Sequence, residues 1–389
     1  MPPNRQAPAR TTQILPPTAA SLSGINTYPR KSHISNPSKS RFASLDSLRA
    51  IACFLVIWHH VSESLLQIAS GGAWMKEVAE HYDFGRIGVV AFFCISGFVI
   101  PNSLRGERFP ALRRFAINRF FRLYPIYWLS ILIGLLAIWQ GSGKEWPATT
   151  LLANFLMGAT FMNEPHVMGL YWTLEIELVF YVFVAALYLA FTRHRLLACL
   201  LGFALSYTLW QSKLLWEYQG NLPILGDLLS IMFTTATLRC VCELDTDPFF
   251  GKTNYHKLAA KALLGVMVYL TLSPFLSGIQ KGFLTGEAPW FGYGWGHALG
   301  IGLFALFFLL KPTPSWLASA GRTTYSAYLF HAIVFDLVAK LWTNAELPQV
   351  RLELLLALCT TLTFALAHLC YRYIEKPSIH LGRRLAKKF

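Results

Sequence analysis

The sequence predicts an all-α, polytopic membrane protein with about ten transmembrane helices. Composition is the first reason. The chain is 54% hydrophobic and only 14% charged, with a mean hydropathy of +0.42, which excludes an ordinary soluble domain. Repeated long apolar runs are the second, because a membrane barrel would show short alternating segments instead. The third is the uneven distribution of basic residues between successive loops.

Taken in order, residues 1–40 are rich in Pro, Ser, Thr and basic side chains and lack an apolar core. They read as a disordered tail, and no cleavable signal peptide is expected. The first apolar run then serves as both signal and anchor. Ten spans are expected, roughly over 46–68, 87–104, 123–139, 171–191, 196–210, 223–241, 258–276, 290–310, 323–342 and 352–373. The stretch 151–161 is apolar but too short to cross and is expected to be re-entrant or interfacial. The organisation is a tail (1–40), a membrane domain (41–377) and a basic tail (378–389), with no internal repeat.

Ten spans bring both termini to one side. With that side cytoplasmic, 23 Lys and Arg residues fall inside and 6 outside. The asymmetry predicts that both termini are cytoplasmic and accounts for the net charge of +14 without nucleic acid; the expected location is the plasma (inner) membrane. The seven cysteines lie in or beside apolar runs and read as buried thiols. Cys240 and Cys242 have no further ligands at zinc-like spacing, so no metal is expected.

Charged and titratable residues inside apolar segments need a reason. Arg49 and His60 are eleven residues apart on the first span, a rise of about 16 Å and a rotation of about 20° past three full turns. They share a face, with Arg49 expected near the membrane surface and His60 near mid-bilayer. A neutral imidazole there can act as a general base. The plain alternative is a polar residue bonded to a neighbouring helix. His59 lies about 80° off that face. Asp46 is one turn before Arg49 and can cap the helix or pair with it.

Arg119 and Arg122 share a helical face at the mouth of the third span. Two guanidiniums there can grip phosphates, or simply anchor the helix at lipid headgroups. In Trp172–Tyr181, Glu175 suits a helix start, whereas Glu177 lies further along the span and is the candidate partner of an imidazole or an acceptor hydroxyl. Gly88 and Gly97 permit close helix packing and follow no strand, so no dinucleotide fingerprint is present. His331 on the ninth span reads as a packing and hydrogen-bonding residue.

Together these blocks resemble the acyltransferase-3 family of integral membrane O-acyltransferases. The matching residues are Leu45–Arg49 with His60, Gly88-Val89 with Phe92-Phe93 and Ser96-Gly97-Phe98, and Arg119-x-x-Arg122 before Tyr124-Pro125. They continue through Trp172-x-Leu174-x-x-Glu177-x-x-Phe180-Tyr181, Tyr325-Ser326 with Tyr328-Leu329 and His331, and Glu375-Lys376-Pro377. Ser47 stands where glycine is common in the family. The resemblance implies transfer of an acyl group, often acetyl, from cytoplasmic acyl-CoA to a hydroxyl of a glycan or lipid-linked saccharide. The family's Arg-x10-His pair maps onto Arg49 and His60, and its paired arginines map onto Arg119 and Arg122. With Glu177 added from its place in the span, the expected catalytic residues are His60 and Glu177, and the expected donor-binding set is Arg49, Arg119 and Arg122. Some members carry a fused extracytoplasmic hydrolase-like domain, and none is expected here after the tenth span. The rival from another class is an exporter or flippase of saccharides or small acylated metabolites, using the same cavity without covalent chemistry.

Overall fold

The computed structural model describes residues 37–139, 146–192, 194–212, 223–246 and 252–388. The tail expectation for residues 1–36 lies outside the described residues. Among these there are fifteen α-helices and no strand. The first eight are α1 (Pro37–Ser64), α2 (Ala73–His81), α3 (Phe84–Val99), α4 (Arg108–Gly134), α5 (Ala148–Phe155), α6 (Trp172–Ala190), α7 (Arg195–Gln211) and α8 (Pro223–Val241). They are followed by α9 (Asn254–Thr271), α10 (Ser273–Thr285), α11 (Ala288–Leu310), α12 (Ser315–Gly321), α13 (Thr324–Asn344), α14 (Leu352–Cys370) and α15 (Lys376–Ala386).

The chain is an all-α, multi-pass membrane protein. Six stretches are long and apolar enough to cross a bilayer: Phe84–Ser103, Arg108–Ala137, Gly169–Ala190, Asn254–Thr285, Pro289–Leu310 and Leu352–Ala386. The other four expected spans fall on α1, α7, α8 and α13. The apolar stretch at 151–161 is the short α5 followed by turns.

Helix α1 begins nine residues before the expected start of the first span, at Pro37. Arg49 therefore sits near the middle of the helix and His60 in its last turn. His60 lies close to the C-terminal end of the helix, Ser64, and its ring meets that of His331 of α13. Leu45, Leu48, Ala52, Cys53, Val56 and Ile57 form the buried face of α1. Helix α3 starts at a cap. Asp83, in the left-handed region at φ 47°, accepts from the Arg86 backbone N–H at 2.9 Å and from Arg86 Nε at 2.8 Å. The small residues of α3 do what their positions suggest. A Cβ on Gly88 would meet the Ala52 carbonyl of α1 at 2.5 Å, and one on Gly97 would meet the Met232 carbonyl of α8 at 2.1 Å. Both helix pairs approach backbone to backbone.

The basic stretch 108–122 is helical rather than a loop. It forms the first half of α4, which runs on through Pro125. Proline has no N–H to give to the carbonyl four residues back, Phe121. Ser378 supplies the missing donor, with Oγ 2.6 Å from the Phe121 carbonyl oxygen. Gly382 lets α15 close on the same place, where a Cβ would meet Phe121 Cβ at 2.7 Å. The C-terminal residues expected as a basic tail are thus a helix docked on α4 as far as Ala386. A π-helical stretch, Tyr371–Glu375, precedes it and turns Glu375 inward, where it is 1% exposed.

Candidate active site

Two cavities are lined by the candidate residues. The larger, about 550 Å³, is lined by Arg49 of α1, Phe92, Phe93 and Ser96 of α3, and Asn118, Arg119 and Arg122 of α4. Glu177 of α6, Tyr325 and Tyr328 of α13, and Arg383 of α15 also line it. The smaller, about 190 Å³, is lined by Val56, His59 and His60 of α1, by Asp83, Gly85, Arg86 and Val90 around α3, and by Leu170, Trp172 and Leu228. Val89 and Tyr328 line both cavities, so these two side chains form the partition between them.

The structure gathers the three arginines singled out in the sequence. Arg49 Nη1 donates to Asp46 Oδ1 at 2.5 Å, the pairing expected one turn apart. Arg49 is in electrostatic reach of Arg122 and Glu177, and Arg122 of Glu375, Tyr181 and Glu177. Arg119 Nη2 donates to Ser103 Oγ at 3.3 Å, and its guanidinium lies over the Phe115 and Tyr181 rings at 5.4 and 5.3 Å. Its Nε is buried with no hydrogen-bond partner among the described residues. A buried guanidinium N–H left unpaired beside a cavity suits an anionic ligand. Arg383 was not singled out as a cavity residue. Only the docking of α15 brings it there, which neither charge pattern nor spacing on α15 could show.

Glu177 belongs to this larger cavity. It accepts from Tyr181 Oη at 2.7 Å and Ser96 Oγ at 3.3 Å, both through Oε1. Its surroundings are arginines and hydroxyls, not His60. Glu175 is the more buried carboxylate at 3% exposure, and its oxygens accept from the Thr160 N–H at 3.1 and 3.2 Å. The His166 ring nitrogen Nε2 is 3.2 Å from Glu175 Oε1, so this carboxylate ties down the segment after α5.

His60 opens into the smaller cavity, with its side chain 39% exposed and Nδ1 3.8 Å from Glu63 Oε2. Its ring stacks on that of His331, with centroids 5.4 Å apart and planes at 28°. His331 is buried, and its Nδ1 lies 2.6 Å from the Tyr328 carbonyl oxygen. A carbonyl only accepts, so Nδ1 carries the proton and Nε2 presents a lone pair. That Nε2 is buried and unpartnered among the described residues. His331 thus makes a hydrogen bond, as the sequence suggests; the stacking on His60 depends on how α1 and α13 cross and has no sign in its own helix. A second buried pair, His297 Nε2 and Asp227 Oδ2 at 2.5 Å, was not singled out either. Neither residue lines either cavity.

Six cysteines are buried and Cys242 is exposed; Cys199 and Cys240 approach to 3.9 Å between sulfurs. Among the described residues no group of three or more His, Cys, Asp or Glu side chains could hold a metal ion.

The chain matches the acyltransferase-3 family, described as an acyltransferase domain, over residues 42–370. It is 24% identical over 378 residues to a Staphylococcus aureus (strain COL) protein provisionally named an O-acetyltransferase, covering 86% of this chain and 56% of that protein. It is 24% identical over 381 residues to the peptidoglycan O-acetyltransferase OatA of Listeria monocytogenes, covering 87% of this chain and 56% of OatA. It is 22% identical over 377 residues to nodulation protein 10 of Rhizobium leguminosarum bv. viciae, covering 89% and 95% of the two. The chain therefore spans about half the length of the Staphylococcus and Listeria relatives. No solved structure matches significantly. The match to the acyltransferase-3 domain takes in both cavities except for the residues that α15 contributes, and the chain belongs to that family of membrane acyltransferases.

Proposed function

We propose that the protein transfers an acyl group, typically acetyl, from cytoplasmic acyl-CoA to a hydroxyl of a cell-envelope glycan or lipid-linked saccharide. One observation carries this reading. A cavity rich in arginine and a cavity holding an imidazole meet at a shared wall. The larger, at 550 Å³, falls within the roughly 300–1,000 Å³ usual for small-molecule sites. Its arginines suit the phosphates of CoA, and the unpaired Arg119 Nε offers one of the donors they need.

The donor's thioester then extends toward Val89 and Tyr328, and the acceptor hydroxyl enters the smaller cavity from the opposite end. His60 takes the hydroxyl proton as the oxygen attacks the thioester carbon. The carbon–sulfur bond breaks, the new ester forms, and the proton passes from the imidazolium to the departing CoA sulfur. The Glu63 carboxylate, with Oε2 3.8 Å from His60 Nδ1, stands beside the imidazole during transfer. Glu177 sits among the arginines, where it offsets their charge and orients them while the phosphates are absent.

In this reading the Arg105–Arg122 segment and both termini face the cytoplasm, across the plasma membrane. A cysteine introduced near Pro110 should resist an impermeant thiol reagent in intact cells and react after permeabilisation. Labelling in intact cells would invert the assignment. The function itself is tested by mass spectrometry of envelope glycans from cells with the gene, without it, or carrying His60→Ala. An acetyl-sized increment present only with the intact gene supports transfer. Identical glycan masses together with impaired saccharide release would favour an exporter.

A further inference from the structure

The wall between the cavities has two faces, and each is fixed. Val89 follows Gly88, at which α3 meets α1 so closely that a Cβ would lie 2.5 Å from the Ala52 carbonyl and 2.6 Å from Val56 Cγ2. Helix α3 has no room to move toward α1 there. Opposite, Tyr328 is pinned through its hydroxyl, 2.8 Å from Thr173 Oγ1 and 3.3 Å from the Leu170 carbonyl oxygen. Its ring meets Phe92 edge-on at 6.1 Å, and its own carbonyl oxygen holds His331. Both sides of the passage are therefore rigid and mostly apolar.

The space beyond is small. It measures about 190 Å³ against about 550 Å³ for the larger cavity. A two-carbon acyl group leaves more room for an acceptor hydroxyl beside His60 than a six-carbon chain does. The larger cavity has no such restriction, so discrimination falls at and beyond the wall.

We infer that Val89 and Tyr328 form an acyl-length selector that admits short acyl groups to His60 and excludes longer ones. The inference rests on the transfer reading above: the donor's acyl group must reach the smaller cavity before the hydroxyl oxygen displaces the CoA sulfur from its carbonyl carbon. Val89 is the determinant that can be varied, because Tyr328 also orients His331.

The test uses membrane fragments open on both faces, containing the full chain and the acceptor native to the host. Each is supplied separately with acetyl-, butyryl- and hexanoyl-CoA. Mass spectrometry of the released glycan gives the ratio of long to short acyl increments. This ratio is internal to each protein, so a variant that folds in lower yield is still read correctly. The wild type should favour acetyl over hexanoyl by about tenfold or more, the scale on which apolar pockets sort methylenes. Val89→Ala should raise the hexanoyl-to-acetyl ratio by about tenfold. Val89→Leu should lower the butyryl-to-acetyl ratio, and Val99→Ala, which lines only the larger cavity, should leave both ratios unchanged. Equal use of all three donors by the wild type, or ratios unmoved in both Val89 variants while acetyl is still transferred, overturns the selector. Absence of any acyl increment in the wild type overturns the transfer reading and the selector with it.

Discussion

The arginine cavity and the imidazole cavity share a wall, but they are built to different ends. The larger is made at the meeting of α1, α3, α4, α6, α13 and α15, and its cations are accompanied by the carboxylates of Asp46, Glu177 and Glu375. The smaller draws its histidines from α1 and its charged pair, Asp83 and Arg86, from the start of α3. One region can hold negative charge without choosing where a proton goes. The other can move a proton and has too little space for a nucleotide. If the proposed transfer holds, binding and chemistry are separate in position, and their kinetic signatures should separate as well.

The largest effect is expected at His60. His60→Ala should lower kcat by about 10²–10⁴-fold, the usual worth of a positioned general base, with little change in the KM for acyl-CoA. Steady-state assays on protein reconstituted in liposomes would show it. Near-normal turnover by a well-folded variant would remove the base from the smaller cavity and the comparison would fail.

Replacing both Arg119 and Arg122 by Ala should produce the opposite pattern. Each hydrogen bond to a charged group is worth about 1.5–3 kcal/mol, so the donor KM should rise by about tenfold per arginine or more. Arg122→Lys should recover part of the loss, because an ammonium lacks the planar fork. Acyl-pantetheine lacks the nucleotide phosphates and should be used about equally by wild type and double variant. If the double variant keeps the wild-type preference for acyl-CoA over that shorter donor, the arginines serve the fold and not the donor.

How much of this could be read from the chain follows from the range of each interaction. Arg49 with His60 and Arg119 with Arg122 are each placed by the pitch of one helix, so spacing alone brings each pair to one face. The Gly88 and Gly97 contacts were legible for a similar reason: small residues on an apolar helix mark close approach. The start of α1 was not, since Pro37–Phe42 lack the hydrophobicity that marks a span and continue the helix regardless. His331, Arg383 and Glu375 reach the site only through packing between distant helices. Ser378 is the clearest case. Pro125 announces a broken hydrogen bond in α4, but nothing local says that the missing donor lies more than 250 residues away.

That bond gives a third, smaller effect, which sharpens the part α15 plays in the larger cavity. Ser378→Ala leaves the Phe121 carbonyl without its hydroxyl partner, at an expected cost of about 1–3 kcal/mol. The variant should unfold at lower temperature in detergent. Because α15 also carries Arg383, its donor KM should rise modestly while kcat stays close to normal. A fall in kcat with an unchanged KM would mean that α15 supports the imidazole cavity instead.

The smallest effect is expected at His59, and it tests the finer half of the comparison, between two imidazoles in one cavity. The two rings are neighbours in the chain, 5.4 Å apart between centroids. Their surroundings differ. The His59 ring packs on the start of α3, where a Cβ on Gly85 would come within 3.1 Å of it, and Nδ1 reaches the Ala79 carbonyl oxygen only at 3.4 Å. His60 instead has the His331 ring on one side and the Glu63 carboxylate nearby. Only His60 therefore has both a stacked support and a nearby carboxylate. His59→Ala should reduce kcat by less than about tenfold, well below the range of losing a general base. His59→Gln, which keeps a polar side chain against Gly85, should restore most of it. A loss at His59 equal to that at His60, with no recovery in the glutamine variant, would transfer the base to His59 and leave the stacking with His331 as a packing contact.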